Sequence, residues 1–181
     1  AILDPKVLRE HVALMSPAPS GQDHARYAAQ LAAAVIGDST GSRLFYALID
    51  PAIADEAHTS YDLLDGSGAF ITFLSADADR AGQAVEIALA EMRKFMDEGP
   101  NDTELQAAKN KIASGSTLKG ELPMGRLTAV GFDWVYRKEY VPLAEQIDTL
   151  FAVSGEEVLN VARQYDLTAT SLTALGPVEK L

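Results

Sequence analysis

The sequence contains no cysteine. Disulfides, thiolate nucleophiles and Cys-ligated metals are thereby excluded. Cytoplasm and periplasm both stay open as compartments. Basic residues are scarce: 15 Lys and Arg stand against 26 Asp and Glu, a net charge of −11. Nucleic-acid binding through a basic face is not expected, because neutralising phosphates takes clustered Lys and Arg. No apolar run approaches the ~20 residues that span a bilayer. The opening AILDPKVLREH lacks a signal-peptide pattern, and it starts so close to a strand that the chain reads as a piece of something longer. Histidine occurs three times, as His11, His24 and His58. The positions three and four after them hold Leu14 and Met15, Tyr27 and Ala28, and Tyr61 and Asp62. Neither H-x-x-E-H nor H-E-x-x-H is present, so the zinc pair that one helix can supply is missing. A G-x-S-x-G elbow is also missing. The sequence nominates no catalytic constellation and no metal ligands.

What is present points to a globular α+β domain over residues 1–181. Hydrophobic residues make up 48% and charged residues 23%, a balance that supports a packed core. VLREHVALMS alternates as a strand does, and Pro17 and Pro19 are expected to end it. Tyr27, Ala28, Leu31, Ala32 and Val35 then recur at helical spacing, with Gly37 in the place of a C-terminal cap. A short helix follows up to Pro51. AHTSYDLL and AFITFLS flank DGSG and predict a hairpin. The longest stripe lies in 78–98: Ala81, Ala84, Val85, Ala88, Leu89, Met92, Phe95 and Met96. Phe70, Thr72 and Leu74 are expected beneath it, with Leu89 and Met92 central. Asp77 and Asp79 read as cap and dipole partners of that helix. Asn101 with Glu104, and Ser154 with Glu157, have capping-box spacing. The helix after Asn101 is expected to weaken at Ser114–Ser116, and Pro123 to open another over 123–139. TATSLTALGP reads as a closing strand. The order predicts a mostly antiparallel sheet covered by helices.

The stretch AVIGDSTGSRLFYALID, residues 34–50, carries two glycines and an Arg. A phosphate loop needs G-x-x-x-x-G-K-S/T after a strand and before a helix, so that amides and Lys meet the anion. Here the loop follows a helix, has no Lys, and contains the repelling Asp38. The dinucleotide fingerprint G-x-G-x-x-G is absent too. Gly37 and Gly41 read as turn residues between two helices.

The same stretch carries a resemblance. A helix ending in VIG, a loop of small residues, then SRLFYAL and a hairpin is similar to the pitrilysin/insulinase family of zinc peptidases, which includes mitochondrial processing peptidase. VALMSPAPSGQDHARYAAQLAAAVIG resembles the strand and first helix of that family's C-terminal unit. FMDEGPNDTELQAAKNKI resembles a helix start in it, and SGEEVLNVARQY followed by LTALGP resembles its end. The similarity runs over nearly the whole chain. It implies a processing-peptidase-like (LuxS-type) metallohydrolase unit, the C-terminal half of a longer two-unit chain, in a clamshell closing over a peptide. It also implies that zinc belongs to a partner: an N-terminal unit or a separate subunit bearing H-x-x-E-H.

GELPMGRLTAVGFDWVYRKEY, from 120 to 140, gathers the one Trp, two Tyr, a Phe and two Arg. The family's C-terminal unit has a helix here with an Arg and a Tyr that hold the substrate backbone, and Arg126 matches the Arg. A guanidinium can donate to a peptide carbonyl without a change of protonation. The position seven residues on holds Asp133, so Tyr136 and Tyr140 are the candidates for the Tyr. Tyr140 is nearer to the Arg126 face at 100° per residue, and Tyr136 is nearer along the axis. The aromatic residues could equally pack on the sheet. Three readings stand: a non-catalytic unit that holds an extended peptide for a zinc metallopeptidase; a degenerate binding or structural module whose assembly cleaves nothing; and an unrelated α+β sandwich binding small ligands between helices and sheet.

Overall fold

In the computed structural model, which describes residues 2–178, alternation along the second segment becomes strand β2. The strands are β1 (Ile2–Leu3), β2 (Glu10–Ala18), β3 (Glu56–Leu63), β4 (Gly68–Ala76) and β5 (Ser171–Gly176). They form one sheet in the order β1-β5-β2-β4-β3. Every neighbouring pair is antiparallel except β1 with β5. The helices are α1 (Arg26–Gly37), α2 (Ala81–Glu98), α3 (Asp102–Glu121), α4 (Pro123–Arg137), α5 (Leu143–Ala152) and α6 (Gly155–Gln164), with a single π-helical turn at Phe45–Ile49.

The period of two sorts the sheet into faces. Val12, Leu14, Phe70, Thr72, Leu74, Thr59 and Ala174 are buried on one face. Across that face α1 packs on β3, and α2 packs on β4 and β2. Leu31, Ile36, Met92, Phe95 and Val158 complete the core. Thr59 and Thr72 satisfy each other there through a hydroxyl pair at 2.8 Å. The opposite face bears His11, Phe73 and His58. Phe73 stacks on His11 at 5.8 Å and tilts against His58 at 5.4 Å.

The α2 stripe is buried as its spacing predicts, but its centre differs. Ala84, Ala88, Met92 and Phe95 point into the core, whereas Leu89 and Met96 are only partly buried at its margin. Both capping boxes form, at Asn101 with Glu104 and at Ser154 with Glu157.

Several local expectations are corrected. β2 continues through Pro17, which pairs with Ala69. β5 pairs with β2 only as far as Met15, so Pro17 lies at a free margin where a residue without N–H is tolerated. α3 runs unbroken through Ser114–Ser116, because Ala108 and Lys109 on its other turns are anchored. The buried Lys109 ammonium donates to the carbonyls of Phe151 and Val153 at 2.8 and 2.6 Å and so caps the end of α5. Asp77 does not cap α2; its carboxylate pairs with Arg9. Gly37 is the last residue of α1 rather than a left-handed cap. A Cβ there would sit 2.3 Å from the Thr59 amide nitrogen, so glycine is what lets α1 close on β3.

The loop after α1 makes internal bonds. Lys111 pairs with Asp38 at 2.8 Å. Ser42 donates to the Asp38 carbonyl at 2.6 Å. Arg43 grips Glu104 at 2.9 and 3.0 Å and donates to the Gly99 carbonyl, tying this loop to the α2–α3 junction. Burial alone would raise the Glu104 pKa, but hydrogen bonds from Arg43 and the Asn101 amide outweigh it and hold the carboxyl below its ordinary value.

Candidate functional site around helix α4

Helix α4 starts where Pro123 occupies its first turn after the extended Leu122, since proline's fixed φ and missing N–H suit that position. It ends at Lys138, whose φ of 58° is left-handed. α4 is amphipathic, yet none of its residues is buried. Leu118, Leu122, Met124, Leu127, Trp134 and Val135 are all more than half exposed on it and on the end of α3. Contiguous apolar exposure of this kind is uncommon on a monomer and marks interaction surfaces.

Arg126 is half-buried on this helix. Its Nη2 donates to the Tyr140 hydroxyl, and its guanidinium carbon lies 5.5 Å from the Tyr140 ring centroid. Tyr140 stands past the end of α4, so the turn at Lys138 and two long side chains close the gap. Among the described residues no carboxylate pairs with Arg126. A cavity of about 360 Å³ opens beside it, walled by Met124, Leu143 and Gln146. Tyr136 goes elsewhere. Its ring meets Phe132 at 5.5 Å and covers Gly21, where an added Cβ would sit 3.0 Å from it. Gln22 holds this end of α4 by donating to the Tyr136 carbonyl at 3.2 Å.

Tyr136 also borders a second cavity, of about 210 Å³, between α1, β3 and α4. Arg137 lines it with Asp133 at 2.5 Å, and Gln146 donates to the other Asp133 oxygen at 2.8 Å. Arg26 reaches it from α1, stacked 4.4 Å from the Tyr27 ring centroid. Tyr61 donates its hydroxyl to the Pro19 carbonyl at 2.7 Å, and burial pushes its pKa up to about 12, so it stays neutral. Sequence reading missed Arg26, Tyr61 and Arg137. They come from three elements, and no local spacing announces their meeting.

The three histidines do not converge. His11 and His58 flank Phe73 on the sheet, and His24 meets the edge of Tyr27. Among the described residues no group of three or more His, Asp or Glu side chains is arranged to hold a metal. The residues present therefore do not fit a zinc ion. Among the described residues no helix is long and apolar enough to cross a membrane.

Residues 3–112 match the family model described as "Peptidase M16 inactive domain". Subunit 2 of the mitochondrial cytochrome b-c1 complex of Mus musculus is 22% identical over 135 residues, 71% of this chain and 30% of the relative. The human counterpart is 24% identical over 110 residues, 61% of this chain and 24% of that protein. The chain thus spans less than a third of these relatives. Among solved structures, a peptidase M16 inactive domain from Pseudomonas fluorescens superposes with a TM-score of 0.80 at 20% identity, covering 98% of this chain and 43% of that one. A chain of Complex III2 from Candida albicans superposes with a TM-score of 0.87 at 12% identity, covering 98% of this chain and 45% of that one. At such identities the structural likeness speaks for the fold.

Proposed function

The chain belongs to the Peptidase M16 inactive domain family, and from that premise we propose that it is the substrate-holding, non-catalytic C-terminal half of a zinc metallopeptidase that cleaves extended peptides. Zinc and the water-activating carboxylate are assigned to a partner, an N-terminal unit or a separate subunit. The exposed apolar residues of α4 and the end of α3 are the surface that meets it.

The observation that carries this reading is the state of Arg126. It is half-buried, has no carboxylate partner among the described residues, and leans on Tyr140. Its charge and remaining N–H groups are free to meet a peptide carbonyl, and a hydrogen bond from a charged donor is worth about 1.5–3 kcal/mol. Tyr140 steadies the guanidinium and contributes a hydroxyl to the same site. Tyr136 has the lesser part and shapes the neighbouring wall. The test replaces Arg126 by Ala in the complete protein. Turnover of an extended peptide falls about ten- to a hundredfold if the bond is made in the transition state. Unchanged activity per folded molecule would remove Arg126 from the site.

A second reading makes the chain a structural module of an assembly that cleaves nothing. The likeness to subunit 2 of the cytochrome b-c1 complex favours it. Absence of peptidase activity in the complete assembly, with zinc supplied, would decide for this alternative.

A further inference from the structure

The hydrophobic core stops partway along α3. Ala113 packs against it, and Leu150 is the next hydrophobic side chain to join it; among the described residues none between Ser114 and Thr149 does. The end of α3, all of α4 and the start of α5 therefore form an arm, residues 116–147, carried outside the core. The roots of the arm are tied to each other. Lys109, buried on α3 before the arm leaves, donates to the carbonyls of Phe151 and Val153 just after it returns. Contact between arm and body is thin. Beyond the continuing helix backbones, one hydrogen bond crosses among the described residues, from Gln22 to the Tyr136 carbonyl at 3.2 Å. No ion pair crosses: Arg137 finds Asp133 and Glu139 within the arm. Tyr136 also rests on Gly21. Beside these contacts the 210 Å³ cavity separates Phe132 and Arg137 of the arm from Tyr27 and Tyr61 of the body. A seat with so few buried apolar contacts opens at low cost.

The weakest point of α3 coincides with the place where the core ends. Gly115 lies inside the helix, and no atom comes within 4 Å of the position a Cβ would take, so no packing requires glycine there. Glycine in a helix interior is disfavoured about fivefold against alanine, because its backbone has more freedom to lose. Thr117 donates its hydroxyl to the Ala113 carbonyl at 2.9 Å, a back-bond that bends helices. On the return, Thr149 makes the same bond to the Glu145 carbonyl at 2.8 Å. We propose that residues 116–147 are a hinged arm, which bends at Ser114–Ser116 on α3 and near Thr149 on α5. The arm swings as one piece between its seat on Gly21 and Gln22 and a position lifted from that seat. Arg126, Tyr136 and Tyr140 travel on it together, and a partner on the exposed apolar face of α4 selects one of the two positions. The motion does not depend on what Arg126 holds or on peptidase activity.

Distance distributions between paired spin labels, measured by double electron–electron resonance on the complete protein, test it. Glu86→Cys on α2 with Thr128→Cys on α4 reports body to arm, and Glu86→Cys with Asp62→Cys on β3 reports body to body; all three positions are exposed. The body–arm pair is expected to give two distances and the body–body pair one. Gln22→Ala removes the one side-chain hydrogen bond of the seat and is expected to raise the share of the lifted position about threefold. Gly115→Ala stiffens the hinge and is expected to lower that share about two- to fivefold. Both substitutions spare the fold, since Gln22 is exposed and the space at Gly115 is open. A single body–arm distance in the parent and in Gln22→Ala would overturn the proposal. Two distances whose shares neither substitution moves would overturn it as well, and so would two distances in the body–body pair.

Discussion

Helices α2 and α4 have similar lengths and similarly divided faces, but opposite fates. α2 buries Ala84, Ala88, Met92 and Phe95 against the sheet. α4 buries none of its residues and leaves Met124, Leu127, Trp134 and Val135 exposed. The apolar face of α2 stabilises this chain. The apolar face of α4 contributes little to it, which is why that face is assigned to a partner. An amphipathic pattern fixes that a helix has an inside; it does not fix whose inside.

The contrast is most easily broken at Phe95, which is fully buried. Phe95→Ala is expected to destabilise the chain by about 3–5 kcal/mol, as aromatic truncations in cores do; chemical denaturation measures it. A loss near that of a surface position would mean that α2 is not the core helix. The partly buried Leu89 should lose clearly less on truncation than Phe95, in the same experiment.

Arg43→Ala comes next. It removes the clamp on Glu104 and the Gly99 carbonyl, at a cost of about 1–3 kcal/mol for partly buried charged hydrogen bonds. Its pH dependence has a definite sign. The Glu104 pKa is held below its ordinary 4.5, so its stabilisation is present above that value and is lost as pH falls through the lowered one. Denaturation curves of the variant and the parent should therefore differ at neutral pH and draw together in acid. A gap that widened in acid would contradict the assignment.

The smallest effect is expected on α4. Leu127→Ser should change stability by no more than about 0.5 kcal/mol, as at exposed positions. It should nevertheless weaken association with the proposed zinc-bearing unit, read by co-purification from the complete assembly. A large loss of stability would show that α4 belongs to the core after all.

Much of the core could be read from the sequence, because burial follows local period. Phe70, Thr72 and Leu74 alternate, Ala84 to Phe95 recur at helical spacing, and both capping boxes lie within four residues. What could not be read depends on neighbours distant in the chain. Leu89 lies on the apolar stripe of α2 but falls at its edge, which only the positions of the sheet and α6 decide. Gly37 fits a cap by sequence, and only its approach to Thr59 reveals its use. At the candidate site, Arg126 and both tyrosines were named from resemblance and helical geometry. That Tyr140 and not Tyr136 meets Arg126 depends on the turn at Lys138. The cavity of Arg26, Tyr61 and Arg137 left no trace in any window of sequence.

The most direct test of the account is a paired measurement on the complete protein carrying Arg126→Ala: melting temperature and turnover of an extended peptide. The account predicts an unchanged melting temperature, because a half-exposed Arg without a salt bridge contributes little to stability, together with turnover lowered about ten- to a hundredfold. A lowered melting temperature with unchanged turnover per folded molecule would contradict it.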